Sequence, residues 1–141
     1  LCGLDLSDDQ LASYAARLGS DCAFFIYNRP MIGEGRGEIL NSYDLPSLEE
    51  YDLQVLTPEG VAVSTKDAYG GIRPHLPEVS LREVLARPVE EWDGLLVNDF
   101  EETVFVKYPE LAAVKRSLYD SGAVYASMSG SGSALFALYN K

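Results

Sequence analysis

The sequence predicts an α+β protein, with helices laid on a mostly antiparallel sheet. Three observations lead there. Near the C-terminus, apolar residues from Tyr125 to Met128 and from Ala134 to Tyr139 flank five small residues, Ser129 to Ser133, and read as strand, tight loop, strand. Upstream, several serines stand three residues before an acid or an amide and open runs with helical apolar spacing. Between residues 31 and 40, glycines alternate with larger residues, as in strands that bend or pack closely on a neighbour.

The elements follow in order. Ser7-Asp8-Asp9-Gln10 has capping-box spacing, and Leu11, Tyr14, Ala15 and Leu18 follow on one helical face, with Gly19 as the stop. The spacing predicts a helix over 7–18. Asp21 precedes the solidly apolar Cys22-Ala23-Phe24-Phe25-Ile26, which predicts a buried strand holding the carboxylate at its rim; capping of the next turn is the other role open to Asp21. The glycine-alternating stretch has no amphipathic helix behind it, so it is a strand pair and not a dinucleotide fingerprint. Tyr43-Asp44-Leu45-Pro46 is a polar connection, and the domain boundary is placed there, giving 1–42 and 43–141.

In the second part, Tyr51 to Leu56 alternates as a strand and Pro58-Glu59-Gly60 turns it. Ser64 and Ser80 each cap a short helix, the first carrying Ala68 and Tyr69. Thr65 and Tyr69, one turn apart, put a hydroxyl and an aromatic ring on one face, suited either to a ligand or to packing. Trp92 reads as a core or hinge anchor. Asn98-Asp99 stands at a helix start, which capping explains. Pro109 suits the first position of another helix, with Leu111, Val114 and Leu118 on its apolar face and Gly122 ending it. In the closing loop, Gly130 and Gly132 allow positive φ and close approach, while the serines offer hydroxyl donors. That loop is either an ordinary hairpin or the lining of a phosphate or diphosphate site.

Composition narrows the partners. The chain has 141 residues, 47% apolar and 23% charged, which is enough for a folded core. Its net charge of −11 and pI near 4.4 argue against nucleic acid or an anionic membrane as partner, since both require a basic face, but leave room for a small phosphorylated ligand. Cys2 and Cys22 fit neither a metal site nor a disulfide framework and read as reduced thiols; His75, beside Pro74, reads as a surface residue. No segment has the length or pattern of a membrane span or a signal peptide, so a cytoplasmic location is expected. The start at Leu1-Cys2-Gly3-Leu4, without Met, reads as the tail of something longer.

Six stretches together resemble one family. Leu18-Gly19-Ser20-Asp21-Cys22-Ala23-Phe24-Phe25, Gly35-Arg36-Gly37-Glu38, Val63-Ser64-Thr65, Asn98-Asp99-Phe100-Glu101, Tyr108-Pro109-Glu110 and Met128-Ser129-Gly130-Ser131-Gly132-Ser133 occur in this order in the 4-diphosphocytidyl-2-C-methyl-D-erythritol kinases of the GHMP kinase superfamily. The resemblance implies ATP-dependent, Mg²⁺-assisted phosphorylation of the 2-hydroxyl of a cytidine-diphosphate-linked methylerythritol, on the non-mevalonate route to isoprenoid precursors. It implies that this chain is the C-terminal half: the end of a ribosomal S5 domain 2-like nucleotide-binding domain over 1–42, then a ferredoxin-like domain over 43–141. The family's phosphate-binding loop and catalytic lysine would lie upstream, and the half alone would be inactive.

By the same resemblance, Asp21 is the catalytic aspartate, Thr65 and Tyr69 contact the cytidine ligand, and Gly130, Ser131 and Gly132 match the superfamily's third motif, which packs beside the phosphate loop and the reacting groups, and are expected to bind substrate. No cofactor-binding or metal-ligating residue falls within this stretch. Cys22-Ala23 departs from the Val-Pro of many members but removes no functional group. Without the upstream half, Phe24, Phe25 and Ile26 are expected to be exposed and to favour dimerisation or other self-association. A homoserine- or mevalonate-type GHMP kinase shares the loop and fold, although the Leu-Gly-Ser-Asp and Asn-Asp-Phe-Glu signatures point away from it. Outside the enzymes, the alternative is a non-catalytic ligand-binding or assembly module.

Overall fold

The computed structural model describes residues 5–73 and 75–141; Cys2 and Pro74 lie outside the described residues. The chain divides after Pro46 into two compact units.

The first unit carries helices α1 (Asp8–Ala15) and α2 (Cys22–Tyr27) and the two-stranded antiparallel sheet of β1 (Met31–Glu34) and β2 (Ile39–Ser42). The capping box is present: Ser7 Oγ accepts the Gln10 N–H at 3.3 Å and Gln10 Oε1 accepts the Ser7 N–H at 2.9 Å. The helix is shorter than the expected 7–18, because after Ala15 the amides of Arg17 and Leu18 bond three residues back instead of four. The buried face also differs. Ala12 and Ala15 are buried, whereas Leu11, Tyr14 and Leu18 are exposed.

The strand expected after Asp21 is a helix. An apolar run of this length fits either element, and periodicity does not separate them. Here the backbone satisfies itself locally, with the Asn28 N–H bonding Phe24 O at 3.0 Å and Asn28 closing the helix in the left-handed conformation (φ 46°, ψ 47°). Ala23 is buried, Ile26 is half-buried, and Phe24 and Phe25 are exposed with their rings edge to face at 5.5 Å. Cys22 is a free thiol. The glycine-rich strand pair is the β1–β2 hairpin.

The second unit contains a 3-10 turn (Pro46–Glu50), β3 (Tyr51–Leu56), α3 (Thr65–Gly71), α4 (Leu81–Leu85), a 3-10 turn (Val89–Glu91), α5 (Phe100–Lys107), α6 (Pro109–Asp120), β4 (Tyr125–Met128) and β5 (Leu135–Asn140). Its three strands form an antiparallel sheet in the order β3-β5-β4. The α+β expectation therefore holds for this unit. A ferredoxin-like β-α-β-β-α-β order has four strands, of which the described residues of this unit form three.

Strand alternation sorts the side chains onto two faces. Ala126 and Met128 stand opposite Ala137 and Leu135, and with Ala68 of α3, Val104 of α5 and Leu111 and Leu118 of α6 they form the main core. The other face presents Tyr125, whose ring meets Trp92 edge to face at 5.7 Å and Phe136 at 5.9 Å. Trp92 is buried and donates from Nε1 to Arg87 O at 3.1 Å, which makes it a core anchor. Pro109 occupies the start of α6, where its missing N–H costs nothing.

Burial also gives the unit an alkaline limit. Removal from water raises the Tyr125 phenol to about 12, and the same effect raises Tyr119 to about 12, aided by its bond to Asp93. Both hydroxyls have internal partners: Tyr125 donates to Leu96 O at 2.7 Å and Tyr119 accepts the Ala126 N–H at 3.1 Å. A phenol that ionises near 10 when unfolded but near 12 when folded stabilises fully below 10, and that contribution is lost as pH rises from 10 to 12. Urea midpoints followed by Trp92 fluorescence should fall across that interval, and Tyr125→Phe should flatten the fall. An equal slope in Tyr125→Phe would contradict this account.

Candidate functional site

The loop between β4 and β5 is built as a tight turn on a fixed base. Ser129 donates its N–H to Ala134 O at 2.8 Å, and Gly132 donates to Ser129 O at 3.0 Å. Gly130 has φ +55° and Gly132 φ +86°, both in the left-handed region. At Gly132 space is as restrictive as conformation: a Cβ there would stand 2.8 Å from Met128 Sδ and 3.3 Å from Val63 Cγ2. The glycine therefore lets the turn close against the residue that leads into α3.

Asn98 grips this turn from below. Its Nδ2 donates to Met128 O at 2.7 Å and to Gly130 O at 2.8 Å, so both amide hydrogens are used, one on each side of Ser129. Its Oδ1 accepts the Phe100 N–H at 3.0 Å. The capping role read from the sequence is thus present on Asn98, while Asp99 makes no capping bond.

Glu101 completes the base. Its Oε1 accepts the Met128 N–H at 2.7 Å and the Ser127 hydroxyl at 3.1 Å, and its Oε2 takes Lys115 Nζ at 2.6 Å. Ser127 is only 3% exposed, so the carboxylate satisfies a buried hydroxyl in an otherwise apolar strand. These bonds join α5, α6 and β4 immediately beneath the glycine turn.

Helix α3 supplies the remaining groups of this unit. Ser64 Oγ caps it by accepting the Asp67 N–H, which leaves Thr65 exposed as its first residue. Tyr69, four residues on, is 62% exposed, and its ring stands edge to face on Phe100 at 4.9 Å. Gly71 lies against Thr103, where a Cβ would come within 2.9 Å, and the Asp67–Lys107 ion pair links the same two helices. Tyr69 therefore rests on the residue two positions after Asn98.

Of the residues singled out by sequence, Thr65, Tyr69, Gly130, Ser131 and Gly132 all belong to the second unit. Asp21 belongs to the first. It is exposed at the N-terminal edge of α2 in a helical conformation (φ −90°, ψ −8°), and it makes no capping hydrogen bond, so the capping role is not used. Its Oδ1 would lie 3.3 Å from a Cβ at Gly37, whose φ of +100° closes the β1–β2 turn.

Sequence reasoning missed the long-range work of Asn98 and Glu101 and the platform role of Phe100. One signal was available: Ser127, buried between Ala126 and Met128, required a polar partner. Nothing local identified that partner as Glu101, 26 residues earlier.

The described residues hold no group of three or more His, Cys, Asp or Glu side chains placed to bind a metal. His75 is exposed and borders an apolar cavity of about 230 Å³ between α4 and the Leu95–Val97 segment, which none of the expected site residues lines. Among the described residues, no helix is long and apolar enough to cross a membrane.

Residues 81–141 match the family model described as GHMP kinases C terminal. The chain is 50% identical over 137 residues to the 4-diphosphocytidyl-2-C-methyl-D-erythritol kinase of Bacteroides fragilis, covering 97% of this chain and 49% of that protein. It is 51% identical to the like-named protein of Bacteroides thetaiotaomicron (96% and 49% covered) and 46% identical to that of Parabacteroides distasonis (99% and 51%). A crystal structure of 4-(cytidine 5'-diphospho)-2C-methyl-D-erythritol kinase superposes with a TM-score of 0.72 at 28% identity, over 96% of this chain and 49% of that one. The chain thus spans about half the length of the curated relatives it matches.

Proposed function

We propose that this chain, which carries the C-terminal domain of the GHMP kinases, is the C-terminal half of a kinase that transfers the γ-phosphate of ATP to the 2-hydroxyl of 4-diphosphocytidyl-2-C-methyl-D-erythritol. The observation that carries the reading furthest is the joining of two features on one scaffold. An exposed aromatic ring, Tyr69, rests on Phe100, and two residues earlier Asn98 holds a turn of glycines and serines. A cytidine diphosphate needs both: a π-face for the base and close-lying N–H and hydroxyl donors for phosphate oxygens.

In this reading each residue has a task. Tyr69 stacks on cytosine and the Thr65 hydroxyl bonds near it. Gly130, Ser131 and Gly132 present donors to the phosphorylated substrate. Asp21 accepts the proton of the attacking 2-hydroxyl, or orients that hydroxyl, so that its oxygen attacks the γ-phosphorus in line while the bond to the ADP oxygen breaks. ATP supplies the phosphoryl group. Mg²⁺ neutralises the phosphates when bound.

The same reading makes residues 1–42 the end of the nucleotide-binding domain, places the phosphate loop and catalytic lysine in the upstream half, and makes this half inactive by itself. Leu18 and Phe25, 85% and 74% exposed, are then covered by the upstream half or, in the isolated chain, by a second copy. A cytoplasmic enzyme without nucleic-acid or membrane partners fits the acidic charge.

The test is calorimetric titration of the full-length protein carrying this chain with the cytidine-diphosphate-linked methylerythritol. Saturable binding should weaken by about tenfold or more in Tyr69→Ala, the loss of a stacked base. Equal affinity in the variant would remove Tyr69 from the site.

A further inference from the structure

We infer that Asn98 is a positioning residue of the substrate loop: by donating to the carbonyls of both Met128 and Gly130, its amide holds the glycine-serine turn in the conformation that presents its donors to the phosphorylated substrate. The inference rests on the kinase reading for the identity of the ligand and on the geometry alone for the clamp.

A glycine-serine turn has little to hold it in one shape. Gly130 and Gly132 have access to more backbone conformations than any other residue type, and residues 129–133 carry no apolar side chain to anchor them. Left to itself, such a turn samples many shapes, and a ligand must select one of them, with loss of affinity. Within the loop, the Ser129 and Gly132 amides bond to Ala134 O and Ser129 O. The Asn98 amide adds two bonds from outside, at 2.7 and 2.8 Å, to carbonyls that bracket Ser129.

The orientation is fixed chemically. Two carbonyl oxygens can be served only by the NH₂ end of the amide, and the remaining oxygen meets the Phe100 N–H at 3.0 Å. Asn98 is in turn fixed at the start of α5, where Glu101 one turn later bonds the Met128 N–H and Lys115. The turn is consequently set by a rigid helix end, which is also the helix on which Tyr69 rests.

Capping alone does not require asparagine, since aspartate caps a helix equally well. Asn98→Asp therefore separates the two roles. It keeps an acceptor for the Phe100 N–H but has no hydrogen to give Met128 O or Gly130 O, and it turns a carboxylate oxygen toward them. Asn98→Ala removes both functions.

The experiment uses the full-length protein carrying this chain. Amide exchange at Ser129 and Gly132 should speed up by about tenfold or more in Asn98→Asp, with the core amides of α6 unchanged. In the same variant kcat/KM for the cytidine substrate should fall by about 10²-fold, the scale of a small misplacement of a positioning group. Loop exchange equal to wild type in Asn98→Asp would overturn the clamp whatever the kinetics. A loosened loop with unchanged kcat/KM would overturn its role toward substrate while leaving the kinase activity in place. If wild type transfers no phosphate to the cytidine substrate, the kinase reading and the substrate half of this inference both fall, and the exchange result still decides the clamp.

Discussion

Asp21→Asn should lower kcat for phosphorylation of the cytidine substrate by about 10²- to 10⁴-fold, the usual range for loss of a positioned general base. The carboxylate is suited to the task. It is exposed, stands at the start of α2, and makes no capping hydrogen bond there, so it is not consumed by local structure. Gly37 leaves it space, since a Cβ at that position would come within 3.3 Å of Oδ1. Asparagine keeps size and shape and removes the proton acceptor. The loss should therefore fall on kcat, with substrate affinity little changed. A variant with kcat within about threefold of wild type, well short of a general base's usual worth, would remove Asp21 from the chemistry.

Glu101→Ala should destabilise the second unit by about 3 kcal/mol, the scale expected when a largely buried ion pair loses one partner. Its side chain is 14% exposed and that of Lys115 is 23% exposed, so the pair is mostly out of water. Truncation leaves the Lys115 ammonium, the Met128 N–H and the Ser127 hydroxyl without their acceptor. Glu101→Gln keeps an acceptor for the Met128 N–H and should cost about half as much. Urea unfolding followed by Trp92, the single tryptophan, reports on this unit. Losses within about 0.5 kcal/mol, the ordinary range for surface changes, would show that the network carries no stability.

The parts of the fold that local chemistry determines were legible from the sequence. Ser7, Ser64 and Ser80 cap the helices their spacing announces, because a cap is settled within four residues. The closing hairpin was legible because apolar strands bounded by small residues have few alternatives. The run after Asp21 was not. Helix and strand differ there only in whether neighbouring strands are available, and the backbone closes on itself with Asn28 as the left-handed end.

The candidate site was legible as a set of residue types but not as an arrangement. Thr65, Tyr69 and the glycine turn are assembled through Phe100, Asn98 and Glu101, whose decisive contacts join the start of α5 to α3, to β4 and to the turn, some 30 residues away. Local reading found the cap on Asn98 and stopped there, because one acceptor already explained the residue. The two donors, pointing to Met128 and Gly130, depend on a sheet register that no local pattern encodes.

The central claim is that this chain belongs to a kinase for the cytidine-diphosphate-linked methylerythritol. It is tested most directly by following transfer of the labelled γ-phosphate of ATP by the full-length protein, with that substrate, homoserine and mevalonate offered separately. The account predicts a labelled 2-phosphate of the cytidine substrate and none from the other two. Label on homoserine or mevalonate, or on none of the three, would contradict it.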